Sequence, residues 1–103
     1  MEKFKIQVMR DGKVQVEEVE GERCKINLVG YESVEFFYHH PPIILGLIDE
    51  RWRISEVKSG LYCTESYEDK AVARKELADR LLFYPVEKLK ETIEANKIPV
   101  EGL

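Results

Sequence analysis

The chain has 103 residues, 44% of them apolar and 35% charged, with 20 acids against 16 bases and a net charge of −4. That length supports one hydrophobic core rather than two, so a single domain over 1–103 is expected, and the apolar content excludes a disordered tail. The acidic balance supplies no global positive field for nucleic acid or an anionic membrane.

Met1-Glu2-Lys3-Phe4-Lys5 passes straight into alternating polar and apolar residues, without the apolar core of a signal peptide. The longest apolar run, Ile43 to Ile48, falls far short of the roughly 20 residues that cross a bilayer. A cytoplasmic protein without membrane contact is expected. Cys24 and Cys63 then read as small buried thiols in a reducing compartment rather than as a disulfide.

Phe4, Ile6 and Val8 alternate with Lys3, Lys5 and Gln7, the pattern of a half-buried strand. Asp11-Gly12 favours a tight turn, and Val14 and Val16 resume the alternation, so the first two strands form an antiparallel hairpin. Gly21 is expected to break the run after the acidic stretch Glu17 to Glu20. Cys24, Ile26 and Leu28 then predict a third strand, ended by Gly30. Val34, Phe36 and Tyr38 allow a further strand, although a short helix fits so few residues as well. His39-His40-Pro41-Pro42 interrupts regular structure, because proline lacks a backbone donor and restrains the residue before it. Ile43 to Ile48 reads as a buried strand, and Gly46 weakens a helical reading.

Trp52 and Ile54 share one strand face against Arg53, Ser55 and Val57; Lys58-Ser59-Gly60 turns the chain, and Leu61 to Glu65 return as a hairpin. Ser66 is placed to cap a helix over 67–84, with Glu68 and Asp69 at its positive end. Ala73, Leu77, Leu81 and Tyr84 form its core face. Pro85 suits the start of a second helix, in which Val86, Leu89 and Ile93 share a face and Asn96 marks the end. The expected fold class is α+β: a mainly antiparallel sheet of four to six strands followed by two C-terminal helices, the first packed on one sheet face.

Trp52-Arg53-Ile54-Ser55-Glu56, Ser59-Gly60 and Ser66 with the acidic helix start resemble hairpin-helix segments of small uncharacterised proteins of bacteria and their phages. That resemblance implies no chemistry. The same third of the chain is also similar to the strand-and-helix arm-binding domains of phage-type integrases, which implies DNA contact through a sheet face. The sequence departs from that pattern, since Asp49, Glu50 and Glu56 balance Arg51, Arg53 and Lys58.

No catalytic or cofactor motif is present. The cysteines and histidines lack Cys-x-x-Cys or His-x-x-x-His spacing, so no metal site is expected. The isolated glycines make no phosphate loop, and the acidic neighbours read as a solvated face. No cofactor is expected, and an enzyme is disfavoured. The aromatic run Phe36-Phe37-Tyr38 cannot all face one core, because alternate side chains point oppositely. Either both faces of that strand are covered or an aromatic surface is exposed. A non-enzymatic protein-interaction module, binding a protein partner or itself, is the leading expectation, with Phe36, Phe37, Tyr38, His39, His40, Ile43 and Ile44 as candidate interface. The alternative is nucleic-acid binding through the hairpin-helix unit of 51–70, with Arg51, Arg53 and Lys58 as phosphate contacts.

Overall fold

The period-two alternation of the first third folds as a hairpin in the computed structural model, which describes residues 1–99. Strands β1 (Glu2–Arg10) and β2 (Lys13–Cys24) pair antiparallel from Glu2 opposite Gly21 to Arg10 opposite Lys13. Asp11 and Gly12 turn the chain with φ of 51° and 75°. A two-residue turn of the I′ kind requires positive φ at both corners, which a short aspartate and a glycine adopt at little cost.

Gly21 does not end β2, so the expected separate strand over 24–28 does not form. Instead β2 runs through the glycine and changes partner: up to Gly21 it pairs with β1, and Glu22 to Cys24 pair with β3 (Phe36–His39). A side chain at the crossing would not fit. A Cβ on Gly21 would lie 2.5 Å from the Tyr38 carbonyl oxygen and 3.1 and 3.2 Å from the rings of Phe37 and Phe4. β4 (Arg53–Glu56) continues the sheet antiparallel to β3, giving the order β1-β2-β3-β4. The returning leg of the second hairpin is shorter than its composition suggests. Leu61 and Cys63 bond to Glu56 and Ile54 at 3.0 and 2.7 Å, but only an isolated bridge, Ser55 to Tyr62, marks the pairing.

The sheet curls, and each side of β3 has its own core. On one side Phe36, Tyr38 and Ile54 pack with Cys24, Ile26 and the helical Ala73, Leu77 and Leu81. On the other, Phe37 joins Phe4 and Ile6, with Val8, Val19 and Val57 around them. The free edge of β1 is tied to the turn after β4, where the Gln7 amide donates to the Gly60 carbonyl at 3.1 Å and its side chain to the Ser59 carbonyl at 2.8 Å.

Helix α1 (Lys70–Leu82) buries Ala73, Leu77 and Leu81 as their spacing predicts, while Tyr84 lies beyond it and exposed. Its cap is Asp69, whose carboxylate accepts from the Ala71 amide at 2.8 Å, rather than Ser66. The chain is still extended at Ser66, because Tyr67 exchanges two backbone hydrogen bonds with Trp52 at 2.6 and 2.8 Å. Helix α2 (Val86–Ala95) starts after Pro85, ends at Asn96 and buries Ile93, as expected. The fold is α+β, with four antiparallel strands followed by two helices. Among the described residues, no helix is long and apolar enough to cross a membrane.

Candidate interaction surface

Two adjacent apolar segments separate sharply in this fold. Phe36, Phe37, Tyr38 and His39 are all buried. This corrects their assignment to an interface, and the reason is the position of β3 between β2 and β4 with a core on each side. Phe37 is fully buried and stacks on Phe4, the ring centroids 4.2 Å apart and the planes within 10°. Phe36 and Tyr38 point oppositely, into the helical core.

His39 belongs to the same interior. Its Nδ1 lies 2.7 Å from the His40 carbonyl, which can only accept, so Nδ1 carries the proton. The neutral ring then accepts at Nε2 from the Ser55 hydroxyl, 2.6 Å away. Burial holds the imidazole pKa down to about 4, so the ring stays neutral near pH 7. Both partners are almost wholly buried, which makes this a structural hydrogen bond rather than an accessible nucleophile.

The segment 43–48 behaves differently. It forms no buried strand; Ile43, Ile44, Leu45, Leu47 and Ile48 are all exposed, from 53% at Ile43 to 93% at Leu45. The Leu47 amide donates to the Ile44 carbonyl at 3.0 Å across a bridge whose corners are Leu45 and Gly46, with φ of 54° and 73°. The excursion is pinned at its base. His40 Nδ1 donates to the Arg51 carbonyl at 2.9 Å, its ring lies against Trp52 with the centroids 4.1 Å apart and the planes tilted by 34°, and Arg10 reaches the Ile43 carbonyl at 3.0 Å. A small hairpin with an apolar tip therefore projects from an ordered base.

Between this loop and the end of β1 runs a groove of about 440 Å³, walled by Val8, Met9, Pro42, Ile44, Leu45 and Leu47 and bordered by Arg10, Asp49, Arg53 and Tyr62. Met9 is exposed and lies opposite Val14 in the β1 to β2 register, so the apolar surface continues onto the outer face of the hairpin. The charges at its border are unequal. Arg10 is held by both Glu17 oxygens, and Arg51 Nε and Nη2 hold Asp49 at 3.0 and 2.7 Å, which keeps that carboxyl down at about 2. Arg53 lies 4.6 Å over the Tyr62 ring and has no ion pair among the described residues. Its Nε is the one buried side-chain nitrogen or oxygen without a hydrogen-bond partner among them.

Of the seven interface residues expected from sequence, Ile43, Ile44 and His40 are exposed and adjoin this surface, which also takes in Leu45, Leu47 and Tyr62 and, unanticipated by the sequence, Met9. The available signal is Gly46, a chain-turning glycine inside an apolar run preceded by Pro41-Pro42. The three candidate phosphate contacts do not converge. Arg51 is committed to Asp49 and Arg53 to Tyr62, while Lys58 lies past the opposite end of β4, its carbonyl accepting from the Ile98 amide at 2.9 Å.

The cysteines are free thiols; Cys24 is buried, and burial pushes the Cys63 thiol up to about 12, away from the nucleophilic thiolate. The hydrogen bonds of both histidines go to backbone carbonyls and Ser55 rather than to a thiol. Among the described residues, no group of three or more His, Cys, Asp or Glu is placed to hold a metal ion. Comparison with protein-family models, with curated proteins and with solved structures returned no match in any of the three.

Proposed function

We propose that this protein is a non-enzymatic protein-interaction module whose contact surface is the 43–48 hairpin and the adjoining end of β1. The supporting observation is the choice of residue at one turn. The tips of the β1–β2 and 43–48 hairpins each have two consecutive positive φ values, Asp11-Gly12 at one and Leu45-Gly46 at the other. Aspartate tolerates that backbone; leucine does so at a cost of about 1–2 kcal/mol. Folding recovers nothing from Leu45, since the side chain is almost entirely in water. An apolar side chain held in a strained turn and kept out of the core is accounted for by contact with another molecule.

Selection of random peptides displayed on phage, with the full chain immobilised, tests this reading against the folded variant Ile44→Ser/Leu47→Ser. The expected result is enrichment on the native chain that disappears on the variant. No enrichment, or enrichment indifferent to the two substitutions, would contradict it.

A further inference from the structure

We infer that the groove beside this hairpin takes an extended segment of a partner protein in which a carboxylate, set between apolar side chains, meets Arg53. This inference rests on the interaction reading above and adds the chemistry of the partner. The walls supply the apolar half of the argument: Met9, Ile44, Leu45 and Leu47 line one continuous trough. Arg53 supplies the polar half.

Arg53 stands opposite His39 in the β3 to β4 register, at the end of the row whose next member inward is Ser55. The row points away from the helical core, so the guanidinium emerges at the groove and lies over Tyr62. A cation over an aromatic face is partly stabilised, but the π face takes no part in hydrogen bonds in the guanidinium plane. Nε therefore remains a buried donor with no acceptor. Closed to solvent, Nε is also out of a partner's reach, and the donors left to a carboxylate are the terminal nitrogens of this groove-lining arginine, which can meet it in two parallel bonds.

The other charges at the groove cannot substitute. Arg10 is committed to Glu17, and Asp49 gives its oxygens to Arg51, although it also feels the field of Arg53. A cation without an ion pair calls for one negative charge, and Asp49 at the border disfavours the second charge of a phosphate, which Arg clusters usually recognise. A second copy of this chain is a poorer occupant. It would bring a net charge of −4 against its like, and an isologous contact centred on the groove would set Arg53 against its counterpart.

The selected phage peptides, synthesised with and without their acidic residue, provide the test. Enriched sequences should share an Asp or Glu flanked by Leu, Ile, Val or Phe, and Glu→Gln in the peptide should weaken binding to the native chain about tenfold. On Arg53→Gln the acidic and amide peptides should bind alike. Arg53→Lys, which keeps the charge and the local packing but loses the fork, should retain only part of the preference, and it replaces the glutamine variant if that one unfolds. Enriched peptides without an acid, or a Glu preference unchanged in both Arg53 variants, would overturn the carboxylate while leaving the interaction surface standing. A dimer broken by Ile44→Ser/Leu47→Ser and excluding the peptides would make the occupant a second copy and overturn the inference. Binding to phosphatidylcholine vesicles, lost on the same substitutions and with no peptide enriched, would overturn both readings in favour of lipid.

Discussion

Strand β3 and the 43–48 hairpin are neighbours in sequence and similar in apolar content, yet one is buried throughout and the other exposed throughout. Phe37 is fully buried, while Leu45 is 93% exposed. The difference lies in what surrounds each backbone. β3 has a strand on either side and a core on either face, whereas the hairpin after Pro41-Pro42 pairs only with itself through Ile44 and Leu47. Apolar composition thus marks where burial is possible, and topology decides whether the fold provides it.

The contrast breaks most readily at Phe37. Phe37→Ala should destabilise by about 3–5 kcal/mol, a large fraction of a small domain's stability, as read by urea unfolding followed by circular dichroism. A change under about 1 kcal/mol would mean that this ring is not core.

His39 offers a pH test of the same interior. Its folded pKa of about 4 lies below the ordinary 6.5. The unfolded chain therefore binds the proton first as pH falls. Stability from the neutral buried ring is complete above 6.5 and is lost as pH drops through the window down to about 4, in total roughly 3 kcal/mol. Denaturation of wild type and His39→Asn across that window should show a steeper acid loss in wild type; parallel curves would place the imidazole in water.

Gly21→Ala should cost about 1–3 kcal/mol, because its methyl group meets the Tyr38 carbonyl and two packed rings where β2 changes partner. A neutral effect in thermal unfolding would mean that the strands do not cross there.

On the exposed side the sign reverses. Leu45→Asn should stabilise by up to about 1 kcal/mol, since asparagine accepts the left-handed turn and no packing is lost. The same substitution should weaken binding of the selected peptides. Stabilisation together with lost binding is the signature of a residue retained for contact rather than for folding.

Much of this architecture can be read from the residues. Alternation and Asp11-Gly12 specify the first hairpin, and the spacing of Ala73, Leu77 and Leu81 specifies the buried face of α1. The continuous β2 cannot be read so easily, because Gly21 as a strand breaker and Gly21 as a crossing point look alike until Phe4, Phe37 and Tyr38 approach it. Ser66 and Asp69 are both good caps, and the choice between them follows from the Trp52 to Tyr67 pairing, a tertiary event. The surface was half visible. Ile43 and Ile44 stand out as candidate interface residues, but apolar composition also reads the run as a buried strand, and the lack of an ion pair at Arg53 depends on pairings that no spacing reveals.

A thermal-shift titration of a selected peptide into wild type and Ile44→Ser/Leu47→Ser reads folding and binding in one sample and bears most directly on the central claim. The account predicts unliganded melting temperatures that differ by no more than a stability change of about 0.5 kcal/mol, a peptide-induced rise in wild type and none in the variant. A variant that melts much lower, or that rises with peptide as wild type does, would contradict it.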